Sequence, residues 1–240
     1  DKIKAYREAF AKKDIVFAEV GAWCNPLDSR EGWADKNVAY IAERLALAEE
    51  LGALCCVNIV GSCDTSSWFG PHSRNFSDET FDRTVAIARK VIDAVKPKRT
   101  KFTLEMFCFT FLDSPAEYLR LLKAVDRPQM GVHLDPCNCV VSPRIYFNTG
   151  ELLRECFRTL GPHIASCHAK DIRMRPEPFS VQFDEVCPGR GNLDYREFLR
   201  CASVLKQDVP LMMEHMSAEE EYKEGRQFIT SIAAEMGLSI

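Results

Sequence analysis

Four side chains able to hold a metal ion or carry a proton each sit within a short apolar run. Glu105 lies in Phe102-Thr103-Leu104-Glu105-Met106-Phe107, and Asp135 ends Gly131-Val132-His133-Leu134-Asp135. His168 ends Ile164-Ala165-Ser166-Cys167-His168, and Glu214 lies in Leu211-Met212-Met213-Glu214-His215. They recur at roughly 30 to 45 residues, the length of one strand-plus-helix unit. A carboxylate in a run that otherwise reads as core costs several kcal/mol unless a cation or hydrogen bonds compensate it. Each has an ordinary explanation alone: an edge-strand Glu, a turn-forming Asp, a satisfied structural His, a salt-bridged Glu. Together, on successive strands at the same end, they imply one shared cation.

Three carboxylates and one imidazole make a hard, mixed oxygen and nitrogen donor set. Such a set suits Mn2+ best, with Mg2+, Co2+ and Zn2+ open to it. A divalent ion with two open positions can chelate a hydroxy-ketone, polarise its carbonyl and stabilise an enediolate. Glu105 and Glu214, on strands separated by two others, could then flank the substrate, one taking the proton next to the carbonyl and the other returning it. That is the chemistry of epimerisation or aldose–ketose isomerisation. The same proton abstraction could instead expel a β-substituent, as a lyase or dehydratase does with an inosose or a 3-keto-glycoside. A sugar-binding barrel without turnover, or a partner-dependent subunit, is the non-enzymatic reading.

The elements that must position these residues alternate strand and helix. The pattern predicts a helix over 2–13, then strands at 15–20, 54–60, 101–107, 129–134, 164–168 and 210–215. Helices are expected at 35–51, 77–96, 114–124, 149–160, 194–206 and 217–236, with Gly52, Ser77 and Ser114 as end signals. Segments 61–76 and 169–192 read as long loops. Near-continuous apolar strands in strict alternation with helices indicate a parallel sheet covered by helices. No glycine-rich nucleotide motif follows any strand, so a closed (β/α) barrel is favoured over a doubly wound sheet. The whole of 1–240 reads as one domain.

Composition narrows the class. With 46% hydrophobic and 28% charged residues over 240 positions, the chain can bury one large core. A net charge of -4 gives no reason to expect a polyanion, so nucleic acid is a poor partner; the hydroxy-ketone chemistry above makes a small sugar the expected one. No apolar run reaches the length of a membrane span, and the first residues do not read as a signal peptide. Eleven cysteines, many in apolar runs and none in a C-x-x-C pair, read as reduced thiols in a cytoplasmic protein. A homo-oligomer is open to such a chain.

At the residues above, the chain resembles the sugar phosphate isomerase/epimerase group of the xylose isomerase-like TIM barrels, which includes ketose 3-epimerases and inosose dehydratases. The matching pieces are Leu104-Glu105, His133-Leu134-Asp135-Pro136, His168-Ala169-Lys170-Asp171, Pro188-Gly189-Arg190-Gly191-Asn192-Leu193-Asp194-Tyr195 and Met213-Glu214-His215. The resemblance implies that Glu105, Asp135, His168 and Glu214 hold the ion, with Glu105 and Glu214 as the acid/base pair. It implies substrate contacts at Arg173 and at Asn138, where ketose 3-epimerases carry a histidine. His133, Asn25 and Trp68 are further substrate-side candidates, followed by Asn58, Ser62, Phe69, His72 and His215. If Glu105 is on the family's fifth strand, the first two strands are missing. An N-terminally incomplete barrel of six β/α units is therefore expected.

Overall fold

A computed structural model describes residues 2–177 and 179–239. The apolar runs of the first half form a parallel sheet of β1 (Glu19–Gly21), β2 (Cys55–Asn58) and β3 (Lys101–Leu104), in that order. The register places Gly21 opposite Val57 and Val57 opposite Thr103. Strand β2 is central and buried at every position, so its sequence runs continuously apolar up to Asn58 instead of alternating.

The helices follow from local rules. Helix α1 spans Lys2–Ala11, and α2 (Trp33–Leu51) buries Val38, Ile41, Leu45 and Ala48, spaced as one helical face requires. It stops at Gly52, whose φ of 78° would strain any other common residue. Helix α3 (Asp78–Val95) is opened by Ser77, which accepts a hydrogen bond from the Thr80 amide. Helix α4 (Pro115–Val125) is opened by Ser114, which accepts from the Glu117 amide.

From α4, the buried Tyr118 hydroxyl reaches Leu104 O at 2.6 Å and Gly131 O at 3.1 Å, with the Leu104 and His133 amides also facing it. It thereby holds the end of β3 beside β4 (Val132–Leu134), to which parallel bridges Phe102–Met130 and Glu105–His133 also join it.

After β4 come α5 (Pro143–Tyr146), α6 (Thr149–Leu160) and β5 (Ile164–His168). A hairpin follows, in which β6 (Asp171–Met174) pairs antiparallel with β7 (Phe183–Val186). Helix α7 (Tyr195–Ser203), opened by Asp194, leads to β8 (Leu211–Met212) and α8 (Glu219–Glu235). The second sheet has the order β4-β5-β8, with His168 opposite Met212 in the parallel pair. The chain gathers into two compact units, Asp1–His133 with His163–Ser166, and Leu134–Pro162 with Cys167–Ile240.

Among the described residues, six strands each precede a helix in the expected order, with three differences. Most ladders are shorter than the apolar runs, although β5 spans its whole run, and after β3 the run continues past the last strand bond into a turn. Phe107, for example, donates to Leu112 O at 3.0 Å in a turn rather than extending β3. Segment 169–192 is not a loop throughout but contains the β6–β7 hairpin, whose charged, half-exposed strands carry no core-like pattern. The stretch after Asp135 contains a 3-10 turn, Cys137–Cys139, and the short α5.

Candidate metal centre

Asp135 stands one residue past β4 and is fully buried. Its Oδ1 accepts from the amides of Cys137 (3.0 Å) and Asn138 (3.3 Å), so the carboxylate both starts and is fixed by the 3-10 turn. His168 is the last residue of β5, held by the ladder to β8, where the Ala169 amide donates to Met212 O at 2.8 Å. Glu214 follows β8 by two residues, so it leaves the sheet at the end where His168 does. His215 behind it turns the chain with a φ of 59°.

One ligand atom from each of Asp135, His168 and Glu214 lies within 4.8 Å of the others. His168 Nδ1 is 2.8 Å from Glu214 Oε1 and 3.4 Å from Asp135 Oδ2. Lys170, buried two residues beyond His168, places its Nζ 2.9 Å from Asp135 Oδ2, against Glu214 Oε1, and 3.5 Å from Glu185 Oε2 of β7. Asp135 Oδ2 and Glu214 Oε1 are buried and lack a hydrogen bond of good direction, so charge holds these close approaches. Burial alone would raise both carboxyls. The Lys170 ammonium and the His168 ring outweigh it and hold Asp135 well below the usual carboxylate range. His168 and Lys170 likewise bring Glu214 down to about 2 despite its burial. Two carboxylates kept ionised beside an imidazole, each with a buried oxygen turned to a cation, fit a divalent ion.

Asp171 organises the flank of this cluster. Its Oδ1 accepts from the amides of Ile172 (2.8 Å) and Leu193 (2.9 Å), and its Oδ2 from those of Gly189 (2.9 Å) and Gly191 (3.0 Å). The Pro-Gly-Arg-Gly-Asn-Leu stretch is thus wrapped around one carboxylate. A Cβ on Gly191 would lie 2.2 Å from Asp171 Oδ1, so only glycine fits there. Asp194 is the cap of α7, accepting from the Glu197 amide at 3.0 Å.

The remaining expected residues lie as follows. Glu105 is buried one residue past β3, in the first unit, with its amide on Asn58 O at 2.8 Å and its parallel bridge to His133. His133 is fully buried, its Nδ1 2.6 Å from Ser166 Oγ and 3.4 Å from Glu19 Oε2. Asn25 ties two loops together, accepting from the amides of Leu27 and Ser62 and donating to Ser62 O. Trp68 is 43% exposed, edge-on to Phe69, and the aromatic contacts continue through Phe107 to Phe109. Asn138 lends its amide to Asp135, whereas Arg173 is exposed on β6 opposite Asp184, 4.0 Å away, and does not join the cluster.

Sequence reasoning assigned no role to Lys170, Glu185 or Glu19. For Lys170 a signal existed: two residues past His168, it continues the same strand face.

The model of the family described as xylose isomerase-like TIM barrel matches residues 1–232. The chain belongs to that family. Its fold is therefore the α/β TIM type expected above. Among curated protein sequences none matches significantly. Solved structures share the fold at low identity. A probable 3-DHS dehydratase, AsbF, from Bacillus anthracis is 17% identical with a TM-score of 0.70, covering 95% of this chain and 81% of that one. Endonuclease IV from Thermus thermophilus is 17% identical with a TM-score of 0.69, covering 97% and 80%. D-Psicose 3-epimerase from Clostridium cellulolyticum H10, solved with D-tagatose, is 15% identical with a TM-score of 0.67, covering 96% and 83%. Family members are thus mostly enzymes, but one fold carries several reactions, so the reaction must be argued from the site. Among the described residues, no helix is long and apolar enough to cross a membrane.

Proposed function

We propose that this chain is a divalent-metal-dependent epimerase or isomerase of a ketose, keto-sugar or sugar phosphate. The observation that carries the reading is the convergence of Asp135, His168 and Glu214 on one point, with one oxygen of each carboxylate buried and lacking a well-directed hydrogen bond. In this reading Glu105 is the fourth ligand. Its burial one residue past β3, and its bridge to His133 two residues before Asp135, support that role. The hard donor set favours Mn2+ among the divalent ions.

The ion, when bound, supplies a Lewis acid that polarises the substrate carbonyl. Asp135 and His168, both buried, only hold it. The Glu214 side chain is 22% exposed, so it can reach substrate and take the proton from the carbon next to the carbonyl. Glu105 is the second member of the acid/base pair and returns the proton. The partner is a small sugar and not a nucleic acid.

The test is proton exchange in D2O with Mn2+ and a panel of ketoses and 3-keto-glycosides. Deuterium should enter next to the carbonyl without loss of water or aglycone, and Glu214→Gln should abolish this exchange and weaken Mn2+ binding. Loss of water or aglycone would instead make the enzyme a lyase. Unchanged Mn2+ affinity in Glu214→Gln would sink the ligand assignment.

A further inference from the structure

Lys170 belongs to none of the roles assigned above, yet its ammonium sits where the ion would draw its ligands. We propose that Lys170 is a resident counter-ion which a divalent metal must displace, and that the displaced ammonium is received by Glu185 on the β6–β7 hairpin. The proposal rests on the metal reading above and adds what sets the affinity of the site and what senses its occupancy.

Three observations carry it. First, Nζ contacts the same two oxygens, Asp135 Oδ2 and Glu214 Oε1, that face His168 Nδ1. An ammonium lying against those oxygens competes with a divalent ion for them, and two cations so close repel. Second, a third carboxylate waits on the far side. Glu185 Oε2 is 3.5 Å from Nζ, and its other oxygen lies 2.8 Å from His215 Nδ1. Third, the backbone around Lys170 is immobilised. Tyr195 donates to Lys170 O at 2.8 Å, and the next residue, Asp171, is locked by four amides. The side chain is left to move, and a short step takes it from the Asp135–Glu214 pair toward Glu185.

The physical logic is an exchange of cations. Without metal, the ammonium compensates two buried carboxylates that would otherwise repel each other and weaken the fold. With metal, that compensation is redundant, and the freed charge strengthens its pairing with the hairpin. Metal occupancy thereby becomes a change in the order of β7, which packs by register against Asp171 and Arg173 of β6.

Calorimetric titration with Mn2+, thermal unfolding with and without Mn2+, and amide exchange test this on wild type, Lys170→Met and Glu185→Gln. Lys170→Met should bind Mn2+ about tenfold more tightly while its metal-free form melts at lower temperature. Glu185→Gln, altered at a side chain one-third exposed, should fold normally and bind Mn2+ more weakly. In wild type, Mn2+ should slow exchange of the Phe183–Val186 amides, and in Lys170→Met it should not. Equal or weaker binding by Lys170→Met, with wild type binding normally, overturns this proposal alone. Wild type that binds no divalent ion overturns the metal reading and this one with it. Should Lys170→Met fail to fold, tighter or unchanged binding by Glu185→Gln, or no slowing of β7 exchange in wild type, overturns the proposal equally.

Discussion

Replacing Asp171 removes the one acceptor shared by four backbone amides, and the cost can be worked from its partners. The side chain is 1% exposed, and its bonds run from 2.8 to 3.0 Å. The amides of Ile172 and Leu193 belong to buried residues and would be left without an acceptor, at roughly 1–3 kcal/mol each. Gly189 is exposed and Gly191 half-buried, so their amides recover much of the loss from water. Asp171→Ala should therefore destabilise by about 3–5 kcal/mol.

Asp171→Asn is the sharper probe because it preserves shape. Its carbonyl oxygen can keep the Ile172 and Leu193 bonds, but its amide would then point two donors at the donors of Gly189 and Gly191. A loss of about 2–3 kcal/mol is expected. Urea unfolding of both variants at neutral pH, with the slope on denaturant unchanged, measures this. If Asp171→Asn stays within about 0.5 kcal/mol of wild type, the loop amides are satisfied by other means and the anchoring role of Asp171 is refuted.

Two further outcomes follow from the fold and the cluster. Tyr118→Phe removes the hydroxyl that joins the ends of β3 and β4. Urea unfolding should register a loss of about 1–3 kcal/mol, and a neutral result would mean that the bridges alone hold the strands. Asp135 and Glu214 titrate below their ordinary values of 3.8 and 4.5, the latter at about 2. Depressed carboxyls contribute stability that is full above the unfolded values and lost as pH falls through the folded ones. The metal-free protein should thus weaken between about pH 5 and 2, Glu214 accounting for on the order of 3 kcal/mol. Glu214→Gln should flatten that part of the acid-unfolding curve, and an unaltered curve would show that Glu214 is not held ionised by the cluster.

The amino-acid sequence by itself determined which side chains were out of place. A carboxylate or imidazole inside an apolar strand is costly wherever the strand ends up, so Glu105, Asp135, His168 and Glu214 stood out before any contact was known. Helix ends were equally visible, because Ser77 and Ser114 satisfy amides three residues away along the same chain. The alternation of strand and helix indicated a helix-covered parallel sheet, and the motifs around the four site residues, by their resemblance, pointed to the barrel family.

Contacts between distant segments were a different matter. Most ladders are shorter than the apolar runs because strand length depends on what the neighbouring strand offers, as at β8, where Leu211 and Met212 pair. The β6–β7 hairpin joins residues separated by a polar stretch, and nothing local in Asp-Ile-Arg-Met announces Phe-Asp-Glu-Val as its partner. Lys170 and Asp171 are adjacent charged residues past a strand end, and alternation could set Lys170 on the face of His168 without naming a partner for either. Tertiary structure supplied the partners, turning one toward three carboxylates and the other toward four amides, because compensation of a buried charge is decided by where remote groups come to rest.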